Sequence, residues 1–225
     1  MSLDLSRESL AAMVDHTILT PEAGRRRVAE VTAEAVSMGC ASVCVQPEMV
    51  QYAAEVSGRR TTVCSVVGFP HGANLSEVKA VEAACAVAAG AGEIDMVADL
   101  SAIADGDDTA VAADVARVRA AVPHVVLKVI LESALWSPVQ LRGAVAASVG
   151  AGADFVKTST GFHPAGGAST EAIEAMAATC AGRARVKASG GIRDLATARA
   201  MIDAGADRLG LSGTQAILDE FASAD

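Results

Sequence analysis

The feature of this sequence that most constrains its fold is a junction where a helical pattern ends in glycine and a short apolar strand pattern follows. The junction recurs at residues 38–41, 91–93, 151–154 and 204–207. Its glycines lie 53, 60 and 53 residues apart, so each interval holds two strand–helix units. Glycine can end a helix in the left-handed conformation, and the neighbouring alanines let helix and strand approach closely. The junction therefore predicts strands and helices in regular alternation.

Eight strand patterns alternate with helical patterns along the chain. Strands are predicted at residues 15–19, 41–45, 61–67, 93–97, 125–131, 154–160, 186–189 and 207–211. Helices are predicted at residues 6–13, 21–38, from 47 onwards, and at 75–89, 108–121, 138–150, 169–180, 195–204 and 213–221. This order predicts an α/β fold, a (β/α)₈ TIM barrel, as a single domain over residues 1–225. A doubly wound open sheet is the alternative, but that fold has no reason to contain eight strands.

Composition limits the partners of the protein. The chain of 225 residues has a net charge of −9, which argues against nucleic acid or an anionic membrane surface as a partner. No apolar run reaches the length of a membrane span, and residues 1–9 carry charges that a signal peptide would lack. The five cysteines include no C-x-x-C pair, so neither a disulfide framework nor a zinc site is predicted. We expect a reducing, cytoplasmic location.

Two lysines close consecutive predicted strands. Lys157 lies in the sixth strand pattern, and Lys187 lies thirty residues further on in the seventh. At roughly 5 Å and an effective dielectric constant of about 20, two ammonium groups repel each other by about 3 kcal/mol, or about two pKa units. One lysine would then be a neutral amine near pH 7, and a neutral amine is a nucleophile for carbonyl groups. The alternative is a structural lysine paired with a buried carboxylate.

The active sites of barrel enzymes lie at the carboxyl ends of the strands, and this rule selects further residues. The residues selected are Asp15, Cys44, Asp95 and Lys128. Asp95 could serve acid–base chemistry beside the two lysines or could only anchor an ion pair. Lys128 could complete a charge network, or it could form a plain salt bridge with Asp95 or Glu132, which is the interpretation we favour. Taken alone, Cys44 indicates a core residue, and Asp15 could be a site residue or only a helix cap or turn residue.

Two glycine-rich turns follow the seventh and eighth predicted strands, at residues 189–191 and 210–213. Barrels commonly hold phosphate at these turns through backbone N–H groups and a helix N-terminus. The four histidines lack metal-ligand spacing, so no metal site is predicted. The expected ligand is a phosphorylated small molecule.

Six stretches at the predicted strand ends resemble the deoxyribose-phosphate aldolase family, and the resemblance covers nearly the whole chain. The stretches are residues 15–17, 68–73, 93–97, 127–132, 156–162 and 186–193. The resemblance implies a class I aldolase that uses no metal or other cofactor. It implies cleavage of 2-deoxy-D-ribose 5-phosphate into acetaldehyde and D-glyceraldehyde 3-phosphate.

The resemblance also implies roles for individual residues. Lys157 would form the Schiff base with the carbonyl group. Lys187 would keep Lys157 neutral and assist proton transfer, and Asp95 would act with a water molecule as general acid and base. Asp15 and Cys44 would line the pocket near the substrate hydroxyls. The residues expected around the phosphate are Gly161, Gly190, Gly191, Gly210 and Ser212.

The sequence departs from the family pattern at three places. The segment after the sixth strand is longer, at residues 162–167, and Asp99 stands where the family has asparagine and is given no role. After the eighth strand only Ser212 remains of two adjacent serines.

Two other functions stay open at this point: a phosphosugar isomerase without covalent catalysis, and a phosphometabolite-binding barrel without catalysis. Apolar barrel exteriors often pair, so we expect a homo-oligomer, either a dimer or a tetramer.

Overall fold

Eight parallel strands close into a barrel in the computed structural model, which describes residues 5–222. Each strand pairs with the next one in the chain, and the last pairs with the first. The strands are β1 (Val14–Ile18), β2 (Ser42–Val45), β3 (Thr62–Val67), β4 (Glu93–Val97), β5 (Val126–Ile130), β6 (Phe155–Lys157), β7 (Arg185–Ser189) and β8 (Arg208–Leu211). The predicted (β/α)₈ barrel is confirmed. The ends of the proposed single domain, and the charged residue at position 4 that was weighed against a signal peptide, lie outside the described residues.

Helices connect the strands and cover the outside of the barrel. The helices are α1 (Arg7–Ala11), α2 (Arg25–Met38), α3 (Val50–Ser57), α4 (Ser76–Ala88), α5 (Leu100–Asp105), α6 (Asp108–Ala121), α7 (Pro138–Gly150), α8 (Thr170–Cys180), α9 (Leu195–Asp203) and α10 (Thr214–Ala222). None of the helices in residues 5–222 is long and apolar enough to cross a membrane.

Two helix boundaries differ from the prediction, and one helix was not predicted. Pro21 does not begin α2, because the chain first makes a turn closed by the Ala23 N–H donating to the Thr20 carbonyl at 3.0 Å. Pro47 begins a short 3₁₀ turn before α3. The unpredicted helix is α5, whose signal is present in the sequence: Asp99 caps its N-terminus and Gly106 ends it in the left-handed conformation.

Three of the four junction glycines have the positive φ that their position predicts. Gly39, Gly152 and Gly205 have φ values of 72°, 97° and 112°. The prediction is wrong for Gly92, because Gly90 takes the positive φ at that junction, at 114°. At Gly92 the absence of a side chain serves packing instead, since a Cβ atom there would lie 3.0 Å from the Thr62 methyl group.

The hydrophobic core lies between the barrel and its helices, while the barrel interior is ionic. Asp15, Asp95, Lys128 and Lys187 are fully buried on the strands. The sequence contains only four lysines, and all of them are buried, including Lys79 on α4. Burying an ammonium group is unfavourable unless it is paired, so each lysine must have a partner.

The partner of Lys79 is Asp114 on α6. Lys79 Nζ lies 2.8 Å from Asp114 Oδ2, and neither side chain is more than 3% exposed. Asp114 also accepts hydrogen bonds from the Ser76 hydroxyl at 2.8 Å and the Asp99 N–H at 3.0 Å. This buried pair therefore ties α4 and α6 to the residue that caps α5.

Replacing Lys79 by alanine should lower the free energy of unfolding by about 3–5 kcal/mol, because it leaves Asp114 as an uncompensated buried charge. Arg26→Ala is the matched control, since Arg26 pairs with Glu30 at 3.6 Å while 94% of its side chain is exposed. We expect that change to stay within about 0.5 kcal/mol. Urea unfolding measures both variants, and equal losses would contradict the assignment.

Candidate active site

One carboxylate lies at the centre of the ionic barrel interior. Asp95 Oδ2 accepts hydrogen bonds from Lys157 Nζ and Lys187 Nζ, each at 2.7 Å. Asp95 Oδ1 accepts one from Lys128 Nζ at 2.8 Å. Asp95, Lys128 and Lys187 are fully buried, and Lys157 is 3% exposed. A single carboxylate thus holds three ammonium groups.

Strand register brings these four side chains together. Lys157 on β6 and Lys187 on β7 are direct Cα partners, so the structure places them side by side as expected. Asp95 on β4 and Lys128 on β5 are partners in the same way. Asp95 lies between the two lysines, so the two ammonium groups share a counter-charge as well as repelling each other. The repulsion predicted from the sequence is therefore only part of the interaction between Lys157 and Lys187.

A second layer of charges lies beneath the first. Asp15 accepts hydrogen bonds from Lys187 Nζ and from Arg208 Nη1, the latter at 2.6 Å. Glu93 lies 2.6 Å from Lys128 Nζ and 3.5 Å from Arg208 Nη1. Asp15 is fully buried and does not line the pocket, contrary to the expected contact with substrate hydroxyls. Its position is explained by its role as an anchor for Lys187.

The charges hold one another ionised. Burial raises the pKa of Asp95, but Lys128, Lys157 and Lys187 outweigh burial and keep that pKa well below its ordinary value. The pKa of Asp15 is lowered in the same way, against its burial, by Lys128, Lys187 and Arg208. Burial lowers the pKa of Lys187, but Asp15 and Asp95 reverse the effect and raise it. Lys187 therefore stays protonated at neutral pH.

Lys128 belongs to the charge network and does not pair with Glu132. Its Nζ bonds Asp95 and Glu93, and lies 3.4 Å from Asp15 Oδ2. The interpretation we favoured, a plain salt bridge, is therefore wrong: Lys128 does bond Asp95, but as part of a network with three carboxylates. Asp15 and Asp95 raise the pKa of Lys128 well above its ordinary value, against the lowering by burial.

Cys44 also lies below the pocket and not on its wall. It is the Cα partner of Cys64, whose Sγ lies 3.1 Å from Asp95 Oδ1 and 3.3 Å from Lys128 Nζ. A hydrogen bond from Cys64 lowers the pKa of the Cys44 thiol, and burial raises that of Cys64. The two sulfurs and Asp95 lie within 4.8 Å of one another, a spacing that a metal ion could bridge. Because three ammonium groups already bond Asp95, such an ion would have to displace them.

A cavity of about 310 Å³ opens above the network at the carboxyl ends of β1, β6, β7 and β8. Lys157 is the member of the charge network that reaches its wall. All five residues expected around a phosphate also line it: Gly161, Gly190, Gly191, Gly210 and Ser212. The cavity is also lined by Thr160, Phe162 and Arg193, for which no role was predicted. A signal for Arg193 was present, since it closes the motif after β7.

Glycine backbone shapes one side of this cavity. Gly161, Gly190 and Gly191 have φ values of 82°, 84° and 82°, which disfavour any side chain. The longer segment after β6 packs against the same turn, because a Cβ atom on Gly167 would lie 2.2 Å from the Gly190 carbonyl oxygen. The lengthened loop is therefore part of this side of the cavity. We call the surface formed by Gly161, Gly167, Gly190 and Gly191 the glycine cradle.

Together the fold and the site define a class of protein: a (β/α)₈ barrel with a primary amine at the wall of a cavity, backed by a carboxylate and a second lysine. Comparison with known proteins supports this class. The profile of DeoC/LacD family aldolases matches residues 9–222. The chain therefore belongs to the DeoC/LacD aldolase family, which confirms the predicted lyase class.

Individual relatives cover almost the whole chain. A deoxyribose-phosphate aldolase from Kocuria rhizophila is 54% identical over 96% of this chain and 98% of its own length. One from Mycobacterium avium is 56% identical over 95% of this chain and 97% of its own length. The solved structure of a tetrameric deoxyribose phosphate aldolase from Aeropyrum pernix is 37% identical, with a TM-score of 0.89 over 98% of this chain and 94% of that one.

The acid side of the pH–stability profile should report Asp95. Its folded-state pKa lies well below the ordinary 3.8, so the stability it contributes is present above about pH 4 and is lost as the pH falls further. Asp95→Asn removes this titration, and we expect the free energy of unfolding to fall less steeply between about pH 4 and pH 2. Urea unfolding at a series of pH values measures the slope. A variant profile parallel to the wild-type profile would contradict this assignment.

Proposed function

We propose that this protein is a class I aldolase that cleaves 2-deoxy-D-ribose 5-phosphate into acetaldehyde and D-glyceraldehyde 3-phosphate through a Schiff base on Lys157. The observation that carries the proposal is the position of Lys157 Nζ, on the cavity wall and 2.7 Å from the Asp95 carboxylate that Lys187 also bonds. The similarity to deoxyribose-phosphate aldolases over nearly the whole chain supports the choice of substrate.

A charge count supports Lys157 as the amine that reacts. The buried network contains four basic groups, from Lys128, Lys157, Lys187 and Arg208, and three carboxylates, from Asp15, Glu93 and Asp95. This network has no net charge when one of its four basic groups has lost a proton. That state is favoured, because a buried net charge is unfavourable. Lys187 and Lys128 are each held by more than one carboxylate. Among residues 5–222, Lys157 bonds only Asp95, and it faces the cavity where a substrate would bind.

The chemistry follows from a neutral Lys157 amine. The amine adds to the C1 aldehyde of the open-chain sugar and forms a carbinolamine, which loses water to give a protonated imine. The C3 hydroxyl then gives up its proton, the C2–C3 bond breaks, and its electron pair moves towards the imine nitrogen. Glyceraldehyde 3-phosphate leaves, and an enamine remains on Lys157. Protonation of the enamine at C2 and hydrolysis of the imine release acetaldehyde.

Asp95 and Lys187 supply the proton transfers in this scheme. Asp95 is the group nearest the Lys157 nitrogen and accepts its proton, and a water molecule in the cavity carries protons onward to the substrate. Lys187 remains protonated and compensates the Asp95 charge. Asp15 holds Lys187 in place, and Cys44 supports the network from below.

The phosphate group lies against the glycine cradle in this proposal. Gly190, Gly191, Gly210 and Ser212 line that side of the cavity, together with Arg193, and backbone N–H groups in glycine-rich turns commonly bind phosphate. Arg193 supplies a permanent positive charge, which the single serine after β8, Ser212, does not.

Assembly and location follow from other observations. Leu75, Val78 and Val81 expose an apolar stripe at α4, and the Aeropyrum pernix relative is a tetramer, which together support a homo-oligomer, either a dimer or a tetramer. Five free cysteines, four of them buried, support a reducing, cytoplasmic location.

Borohydride treatment with acetaldehyde tests the covalent step. We expect a stable ethyl group on Lys157, and the peptide map is simple because only three other lysines exist. Lys157→Arg should abolish cleavage of deoxyribose 5-phosphate, because a guanidinium group forms no imine. Its thermal unfolding should confirm a folded protein. Turnover by the arginine variant, or an adduct on another lysine, would refute the proposed nucleophile.

Gly190→Ala tests the phosphate cradle. A side chain there would lie 3.0 Å from the Gly167 Cα atom at a φ of 84°, so the cradle must shift. We expect KM for deoxyribose 5-phosphate to rise about tenfold or more, as for the loss of one charge-assisted hydrogen bond. Gly182→Ala is the matched control, since Gly182 has a φ of 75° and no atom within 4 Å of its Cβ position. Unphosphorylated deoxyribose should show a much smaller difference between the two variants, and an equal rise with both substrates would argue against phosphate contact.

A further inference from the structure

Glu132 is a buried, strained residue that the chemistry above does not use. It follows β5 with φ 52° and ψ 55°, the left-handed conformation that residues other than glycine avoid. Its side chain is 1% exposed. Within residues 5–222 no lysine, arginine or histidine pairs with its carboxylate. A strained non-glycine residue with a buried carboxylate suggests that the side chain serves a purpose.

The carboxylate of Glu132 binds Thr160, on the cavity wall. Thr160 Oγ1 donates to Glu132 Oε2 at 2.6 Å, and the Thr160 N–H lies 3.3 Å from both carboxylate oxygens. The same Thr160 hydroxyl oxygen accepts a hydrogen bond from the Phe162 N–H at 3.1 Å. Glu132 thus holds Thr160 through its hydroxyl and N–H groups, and the same hydroxyl group holds Phe162 two residues further on.

The left-handed backbone at Glu132 makes this reach possible. The N–H groups on either side of it, at Leu131 and Ser133, donate to the carbonyls of Lys157 and Thr158 at 2.9 and 2.8 Å. The residues that flank Glu132 therefore bond two consecutive carbonyls at the end of β6. Glu132 is the extra residue between Leu131 and Ser133 and forms a bulge. Its side chain then meets Thr160, beyond the end of β6.

The wall that Glu132 holds closes one side of the cavity. Gly161 is part of the glycine cradle, and the Phe162 ring packs edge-on against Phe69 with centroids 5.2 Å apart. Phe69 lies on the loop after β3, so the contact joins that loop to the loop after β6. The amine of Lys157 precedes residues 160–162 in the chain and has its own partner in Asp95.

We propose that Glu132 is a positioning residue that acts through Thr160 to set the cavity wall at residues 160–162 for the phosphorylated end of the substrate. The inference rests on the proposed function, since it assumes that this wall faces a phosphosugar. It assigns no chemical step to Glu132, and it separates substrate binding from imine formation.

Glu132→Gly gives the sharpest test, because glycine accepts the left-handed backbone and removes only the side chain. We expect KM for deoxyribose 5-phosphate to rise about tenfold or more, while borohydride still traps acetaldehyde on Lys157. Unphosphorylated deoxyribose should show a smaller change. Ala181→Gly is the matched control: Ala181 has a φ of 47° and is exposed at the end of α8, so its KM should be that of the wild type.

Thr160 variants and a double variant identify the path. Thr160→Val should reproduce the Glu132→Gly effect, Thr160→Ser should restore a KM near that of the wild type, and the double variant Glu132→Gly/Thr160→Val should be no worse than either single change. Glu132→Gln, which keeps the side-chain volume and one acceptor oxygen, should raise KM less, and it replaces the glycine variant if that variant does not fold.

Two outcomes would overturn the inference: a KM within twofold of wild type for folded Glu132→Gly, or losses that multiply in the double variant. A wild-type protein that does not cleave deoxyribose 5-phosphate would instead refute the proposed function.

Discussion

The site depends on one interaction, the bonding of three lysines by the carboxylate of Asp95. Without that carboxylate, Lys157 would lose the one carboxylate partner it has among residues 5–222, and Lys128 and Lys187 would each lose one of theirs, which is unfavourable for buried ammonium groups. With it, two of the three cations are strongly held and the third is left facing a cavity. The same bonds that make the interior stable therefore also leave one amine, that of Lys157, at the cavity.

The second layer explains why the first keeps its shape. Asp15 and Glu93 bind Lys187 and Lys128 from below, and Arg208 joins the two carboxylates. The barrel interior is thus filled by a connected set of charges, and the hydrophobic core lies outside it, against the helices. This division allows a small aliphatic core, poor in aromatic residues, to surround a polar centre.

How much the sequence could predict depends on which part of the structure is considered. The barrel and the meeting of Lys157 with Lys187 were predictable, because consecutive strands of a barrel lie side by side. The anchoring role of Asp15 was not, because a position near a strand end does not say whether a side chain lies in the cavity or one layer deeper. Glu132 was considered only as a partner of Lys128, and its bond to Thr160 was not predictable, since glutamate rarely adopts the left-handed conformation and Thr160 lies 28 residues away along the chain. Hydrogen bonds between distant residues depend on register and backbone detail that composition does not encode.

The burial of every lysine has a consequence for a protein that handles aldehydes. Positive charge on the described surface comes from arginine, whose guanidinium group does not condense with carbonyls as a primary amine does. Small aldehydes in solution therefore find a single side-chain amine within reach, the one at the wall of the cavity. The described surface therefore offers aldehydes no lysine amine, which limits imine formation and the cross-linking and loss of charge that follow from it.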